Sequence, residues 1–411
     1  MYVKILYIHQ YFKTREGYSS TRSYEFATRL VNAGHEVTML TGDSRITEKE
    51  KPISKGLISK KYNIDGIDVI AIKDNYSNYM SKMSRIFTFL SFLILSSLQG
   101  LFLKKHDVIY ATSTPLTIGV PAIVISFFKR IPYVFEVRDL WPEAPIQMGI
   151  IKSNFLIKLL KKFERIVYKK AAHIVALSPG MVEGVLNENI SESKVSMIPN
   201  SCDIELFSEE NSDASIYKEK YKLGDNFVAI HPGSMGIANG LFYIVEAAKI
   251  LEDMGNQRVK ILLTGDGATK PKLEKYCKDN NLSNVIFTGR IPKNDMPNLL
   301  ATTDISITSF LNIPILATNS PNKFFDSLAA GKPVIVNSNG WTKDIVEKNN
   351  IGFYVDPESP KELALLLDEL CKSTRYKLKD KGKRAREVAE NEFDRNKLAE
   401  KLEQILLSFK K

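Results

Sequence analysis

Short apolar runs alternate with helical stretches along almost the whole chain, and this alternation is what most limits the fold. Val3 to Ile8 reads as a strand, Thr21 to Ala33 as a helix closed by Gly34, and Glu36 to Thr41 as the next strand. Asp68 to Ile72, Val108 to Ala111, Tyr133 to Val137 and Ala172 to Leu177 follow, with helical stretches between them. Runs apolar throughout suit strands covered on both faces, and their order predicts a doubly wound parallel α/β sheet. After Ile198 the texture changes: IPNSCDIELFSEENSDAS is polar and irregular and reads as a linker. The alternation then restarts at Phe227 to His231, Lys260 to Thr264, Val285 to Thr288, Ile305 to Thr308 and Val334 to Asn337. With 411 residues to bury, more than one core is expected. The expected layout is a Rossmann-like half over 1–200, a second over 201–390, and a terminal segment 391–411 whose amphipathic helix packs back on the first. Two facing sheets of this kind place a ligand cleft between their strand C-terminal ends.

Formal net charge is +10, which suits an anionic partner: nucleic acid, an anionic membrane surface or a phosphate-bearing substrate. Cys202, Cys277 and Cys371 are far apart and form no CxxC pair, which argues against a zinc site or a disulfide framework and fits the cytosol. MYVKILYIHQYF alternates into a strand and lacks the apolar core of a signal peptide. Ile86 to Leu103 carries no charge, is flanked by Lys82, Arg85, Lys104 and Lys105, and is eighteen residues long. That is the lower limit of a membrane span. Strand-like segments on both sides oppose a span, because neighbouring strands of one sheet would lie across a membrane from each other. A crossover helix is expected, buried in the domain or dipping into a membrane interface with basic anchors. Thr88, Ser91, Ser96 and Gln99 gather on one side of it.

The richest run is SPNKFFDSLAAGKPVIV, Ser320 to Val336. Ser320 suits a helix N-cap, Pro321 the first helical position, Gly331 the close, and Val334-Ile335-Val336 a buried strand. The helix N-terminus offers N–H groups and a positive dipole end to a phosphate. Asn322 and Lys323 lie in the first turn, where the ammonium could meet that phosphate. Asp326 and Ser327 follow three and four residues on, a spacing that shares a face. A cation for a diphosphate and a carboxylate for sugar hydroxyls are what a nucleotide-sugar site needs; an ordinary amphipathic helix with a surface Lys-Asp pair has the same spacing.

Glycine turns cluster where strands end: Gly233, Ser234, Gly236 and Gly240 after the first strand of the second half, Gly265 and Gly267 after the next, and Gly289-Arg290-Ile291 after the third. Such turns let backbone approach a phosphate or ring. No Walker loop is present, and no GxGxxG follows the first strand, which disfavours a dinucleotide-binding oxidoreductase. In the first half Gly17 follows the first strand, Ser20 or Thr21 could cap the next helix, and Arg22 and Glu25 would stand at its N-terminal end. Tyr133 to Val137 runs into Glu136-Val137-Arg138-Asp139-Leu140-Trp141-Pro142-Glu143, with four charged residues in eight positions. Burying these is costly. They are read either as an Arg138–Asp139 or Arg138–Glu143 ion pair, or as groups for acceptor binding and for leaving-group or hydroxyl activation.

PGSMGIANGL, TGDG, FTGRIP and the SPNK run, together with HQYF…EG…TRSYEFATRL…GHEVTMLTG and EVRDLWPE, resemble the retaining glycosyltransferases of family 4 with the GT-B fold. The N-terminal motifs are similar to those of bacterial transferases of O-antigen and capsule assembly, including those adding N-acetylfucosamine. The resemblance implies two Rossmann-like domains facing a central cleft. It implies a UDP-sugar donor held by the C-terminal half at Gly233, Ser234, Gly236, Gly265, Gly267, Arg290, Ile291, Ser320, Pro321, Asn322, Lys323 and Asp326, with Gly17 reaching from the other half. It implies a polyprenyl-diphosphate-linked acceptor at the inner face of the plasma membrane, with Arg138, Asp139, Glu143 and Lys323 as catalytic candidates. No metal or cofactor is implied, and the chain contains no Asp-x-Asp.

This sequence departs from the family at several positions. The family's two glutamates, eight positions apart, are matched by Thr318 and Asp326. Its phosphate-binding Arg and Lys are missing from GSMGIANG, leaving Lys323 as the natural replacement and Arg290 as a weaker one. Its N-terminal His is matched by Arg138. These departures point to a donor unlike plain glucose, such as an N-acetylated aminodeoxy sugar. An inactive sugar-binding partner subunit and a nucleotide-sugar epimerase are the alternative readings. Nucleic-acid binding would suit the charge, but no motif supports it.

Overall fold

The computed structural model describes residues 2–17, 21–47, 49–74, 82–373 and 376–410. It divides into two compact units, Met1–Pro199 with Asn396–Lys411, and Asn200–Arg395. In the first unit the strands are β1 (Lys4–Ile8), β2 (Glu36–Gly42), β3 (Ser54–Lys55), β4 (Ser59–Ile64), β5 (Ile67–Ile72), β6 (Val108–Thr112), β7 (Tyr133–Val137), β8 (His173–Ala176) and β9 (Val195–Met197). They form one sheet in the order β3-β4-β5-β2-β1-β6-β7-β8-β9. Pairing is parallel from β5 through β9, with Ile5 set beside Val37 on one side and Val108 on the other. The β3–β4 and β4–β5 pairs are antiparallel. The β4–β5 turn has Asp65 at φ +50° and Gly66 at φ +82°, the positive-φ pair that a two-residue hairpin requires.

The helices of this unit before the last one are α1 (Arg22–Asn32), α2 (Lys82–Phe102), α3 (Gly119–Lys129), α4 (Glu143–Gln147), α5 (Asn154–Lys170) and α6 (Pro179–Leu186). The chain steps from β1 to β2 in one direction along the sheet. From β5 to β6, β6 to β7 and β7 to β8 it steps in the other. Right-handed crossovers therefore put α1 on one face and α2, α3 and α5 on the opposite face. On the α1 face, Phe26, Ala27 and Leu30 share a core with Tyr7, Met39 and Val69, and with Leu398, Leu402 and Leu406 of the last helix, Arg395–Leu407.

In the second unit β10 (Phe227–Pro232), β11 (Val259–Thr264), β12 (Val285–Gly289), β13 (Ile305–Thr308), β14 (Val334–Val336) and β15 (Gly352–Tyr354) form an all-parallel sheet in the order β12-β11-β10-β13-β14-β15. Separate apolar clusters cover its two faces. The polar run after Pro199 is no free linker. Cys202 and Phe207 are buried in this unit, and Cys202 bridges to Asp394. Phe207 and Cys202 give that stretch enough apolar area to fold down despite its polar neighbours.

One buried charge pair locks the first unit. Glu136, at the end of β7, and Arg22, at the start of α1, are almost wholly inaccessible and lie 2.8 Å apart. Tyr110 and Thr112 donate to the same carboxylate at 2.5 Å. The guanidinium also donates to the carbonyls of Pro199 and Ile198. Burial works to raise the Glu136 carboxyl, but Arg22, Arg138 and the two hydroxyls hold it below its usual value. Breaking such a pair strands a charge. Arg22→Met is expected to destabilise the first unit by about 3–5 kcal/mol in urea denaturation.

Candidate active site

In the second unit β10 ends at Pro232 and the chain turns through Gly233, whose N–H donates to Thr264 at 3.1 Å. The helix Asn322–Ala329 comes up against this turn. Phe324 and Phe325 are fully buried and anchor it, and Ser327 Oγ donates to Lys323 O and lies against Ser306 Oγ of β13, each at 2.7 Å. Ser327 is therefore a packing residue and does not share a ligand face with Lys323. The Lys323 side chain runs over Gly233: a Cβ placed on that glycine would lie 3.3 Å from Lys323 Cε. The Lys323 ammonium donates to Asn239 Oδ1 at 2.6 Å and to His231 Nε2 at 3.1 Å, and sits 5.3 Å from the Phe310 ring centroid.

None of these partners is an anion. His231 is fully buried, and its Nδ1–H donates to the Ile307 carbonyl at 3.1 Å, which leaves Nε2 as an acceptor. Burial, and then the Lys323 charge, hold the imidazole well below its usual value. Desolvation without a compensating carboxylate lowers Lys323 to about 7. Asn239 is oriented by its own amide, which donates to Ser234 O at 2.9 Å. The site is thus a cation supported by neutral acceptors beside a glycine turn, an arrangement that can receive a diphosphate.

The other candidates divide. Gly265, at φ +113°, has Gly233 O only 2.2 Å from where a Cβ would stand, so the two glycine turns close on each other. Gly267 packs in the same way against Met235. Gly236 opens the short turn Ile237–Asn239 that carries Asn239. Arg290 pairs with Asp266 at 2.9 Å and is half-exposed, while Ile291 is half-buried against the apolar cluster. Asp326 does not join Lys323. It meets Lys293 at 2.5 Å, and its Oδ1 is buried with no hydrogen-bond partner among the described residues. Ser320 is not the N-cap. Pro321 occupies that position, Asn322 begins the helix, and Ser320 Oγ accepts from Asn200 N–H at 3.0 Å. Thr318 donates to Ile315 O at 2.7 Å. A cavity of about 540 Å³ is lined by Phe310, whose ring lies near the Lys323 ammonium, and by Ile237, Leu241, Phe242, Tyr243 and Leu311.

In the first unit the charged run after β7 is dispersed. Glu136 belongs to the Arg22 pair, and Glu143 pairs with Lys161 of α5 at 3.0 Å and accepts from Gln147. Neither expected ion pair of Arg138 is what holds these carboxylates. Asp139 accepts from Thr114 Oγ1 at 2.9 Å, and burial raises its carboxyl above the ordinary value. Arg138 Nη1 lies 3.5 Å from His9 Nε2, and His9 Nδ1 lies 2.7 Å from Ser23 Oγ. Burial, then Arg138 and Lys13, keep the His9 ring neutral. Arg22 and Glu25 do not stand open at the start of α1: Glu25 is buried between Arg15 and Arg29. Thr21 occupies the cap position without a side-chain cap bond, and Ser20 lies outside the described residues. Gly17 closes a turn on Thr14 O at 3.0 Å. Sequence reasoning passed over His9, His231, Asn239 and Lys293. A polar residue near the end of an apolar strand and two positions before a glycine, as His231 is, was the available signal.

Two parallel α/β units with polar clusters at strand ends are the GT-B architecture. The structure superimposes on Anabaena HepE, solved with UDP and glucose, at a TM-score of 0.72 with 17% identity over 99% of this chain and 100% of the other. Residues 213–406 match the model for glycosyl transferases group 1, and residues 19–201 match the glycosyl transferase 4-like domain. Between them the two models span most of the chain, and it is a glycosyltransferase. It is 23% identical to the probable glycosyltransferase WbjE of Pseudomonas aeruginosa over 65% of this chain and 67% of that protein. It is 26% identical to an Escherichia coli UDP-Gal:alpha-D-GlcNAc-diphosphoundecaprenol alpha-1,3-galactosyltransferase over 41% of this chain and 42% of that protein.

The Lys323 geometry has a measurable signature. Its folded value, about 7, lies below the unfolded 10.5. Between those two values the unfolded chain binds more protons, so this group makes stability rise with pH. Lys323→Met removes the effect. The stability gap favouring the variant should be widest below pH 7 and close toward pH 10.5 in thermal denaturation.

Proposed function

We propose that this enzyme is a retaining, metal-independent transferase that moves a sugar from a UDP-sugar to a polyprenyl-diphosphate-linked saccharide during bacterial capsule or O-antigen synthesis. It would work peripherally at the inner face of the plasma membrane. The observation that carries the reading is the Lys323 ammonium, held on His231 and Asn239 over the Gly233 turn without a carboxylate. A bound diphosphate would supply the missing anion and draw a proton onto Lys323. The UDP and glucose bound by HepE, and the lipid-diphosphate acceptor named for the E. coli galactosyltransferase, support the same chemistry.

In the reaction the acceptor oxygen forms a bond to the anomeric carbon as the bond to the UDP oxygen breaks. The acceptor proton passes to the departing phosphate on the same face. Lys323, with N–H groups at the glycine turns and the start of the Asn322–Ala329 helix, would stabilise the departing diphosphate. Asp326, with one buried oxygen unpartnered, would accept from ribose hydroxyls. Arg138 and Asp139 would engage the acceptor, while Glu143, tied to Lys161, would position α4. The apolar lining around Phe310 and Leu311 suits the methyl of a deoxy sugar or an N-acetyl group.

Thermal shift and isothermal titration with UDP, GDP, ADP and UDP-N-acetyl sugars test the reading. UDP ligands should stabilise the protein and affinity should fall as pH rises above about 7. Lys323→Ala should lose the shift and lower kcat about 100- to 1,000-fold, roughly the ~3–4 kcal/mol of one preorganised donor. Asn239→Lys in that background should restore part of the binding. No shift with any nucleotide in folded protein would overturn the proposal.

A further inference from the structure

The helix α2 is amphipathic in the wrong sense for a helix facing water. Its small polar residues are inside: Thr88, Ser96 and Ser97 are buried, and both serine hydroxyls donate to Leu93 O. Phe92 and Leu93 also turn inward, but a stripe of large apolar residues faces out. Phe87 is 73% exposed, Ile94 60% and Phe102 86%, with Leu90 and Leu98 exposed between them. The inward small residues let α2 sit close on α3. A Cβ on Gly100 would fall 2.1 Å from Ile125 Cδ1. An isolated exposed apolar residue needs no explanation, but five along one helix stripe do.

The apolar surface continues onto the neighbours. Phe127 and Phe128 end α3, both exposed and in edge contact, and Lys129 donates to Leu103 O, fixing this end beside the end of α2. α5, which meets α3 at Val167 and Gly119, exposes Phe155, Leu159 and Ile166 along one stripe. The charges around this surface are mostly positive: Lys161 and Arg165 are paired with Glu143 and Glu188, while Lys158, Lys162, Lys169 and Lys170 are exposed. Residues 150–171 hold seven Lys or Arg and a single acid, Glu164, which is buried. Residues 119–132 add Lys129 and Arg130 with no acid, and Lys104 and Lys105 follow α2. A water-soluble protein partner would have to present a large apolar patch rimmed with carboxylates. An anionic bilayer offers both parts at once, acyl chains beneath phosphate headgroups. Among the described residues no helix is long and apolar enough to cross a membrane, so the geometry suits a helix layer lying on the surface.

We propose that the outer faces of α2, α3 and α5 are a docking surface for an anionic lipid bilayer, with Phe87, Ile94, Phe102 and Phe155 as inserted residues and Lys158, Lys162 and Lys169 as headgroup contacts. This rests on the reading that the acceptor is lipid-linked, and it adds the face that meets the lipid. The test is flotation of the full chain with vesicles of phosphatidylcholine alone and of phosphatidylcholine mixed with phosphatidylglycerol. The expected result is binding to the anionic vesicles that weakens with salt. The triple variant Phe87→Ser/Ile94→Ser/Phe102→Ser should lose at least about tenfold in partitioning. Lys158→Glu/Lys162→Glu should lose about fivefold or more for each lysine. Both variants should keep the wild-type thermal shift with UDP, which separates failure of this surface from failure of the donor site. Equal vesicle binding by wild type and variants would overturn the proposal. So would the absence of vesicle binding by a wild type that the serine variant converts from dimer to monomer.

Discussion

A charge carried to the end of a buried parallel strand must be compensated, and the two units do this in opposite ways. In the first, Glu136 at the end of β7 is closed by Arg22, Tyr110 and Thr112. Every oxygen is occupied, the network joins α1 to β6 and β7, and nothing is left for a ligand. In the second, Lys323 reaches the end of β10 and finds only a histidine nitrogen, an amide oxygen and a ring. Neutral acceptors orient an ammonium without satisfying its charge. The first arrangement holds a fold together, whereas the second stores a cost that an anionic ligand relieves. A carboxylate at one strand end and an ammonium beside another thus take on structural and binding roles according to what surrounds them.

The parallel architecture was legible because strands covered on both faces are apolar throughout, and because Gly34 and Gly331 close helices where the periodicity stops. The β4–β5 hairpin was overlooked, although Asp65-Gly66 between apolar alternations is a strong turn signal. The run after Pro199 read as a linker because its composition is polar, yet a few buried side chains such as Phe207 suffice to bind it to a core. Spacing placed Lys323, Asp326 and Ser327 on one helix face. A helix wedged between a glycine turn and a strand uses that face in three directions, toward Gly233, Lys293 and Ser306. The charged run after β7 looked like one site because four charges adjoin in sequence. A strand that alternates sides and then turns into α4 sends Glu136 inward and Glu143 to α5. His9 and His231 escaped notice because a histidine at the end of an apolar run is only a weak signal until the fold brings Arg138 and Lys323 to it.

The uncharged stretch Ile86 to Leu103 shows why hydropathy along a chain and hydropathy across a surface are different quantities. A spanning helix, a core helix and an interfacial helix can share one composition. A core helix turns its large apolar side chains toward the sheet and its serines to water. Here Phe92 and Leu93 go inward among serines and a glycine, and Phe87, Ile94 and Phe102 go outward. Small inward residues let the helices pack closely, as they do where lipid surrounds a bundle and dispersion at close range replaces the hydrophobic drive. The same choice leaves the outward face with apolar area that water penalises at roughly 25 cal/mol per Å². Folding alone gives no return on that exposure, and the lysines of α5 repel one another across it. Both costs are relieved by the same neighbour, a surface that is apolar in depth and anionic at its rim.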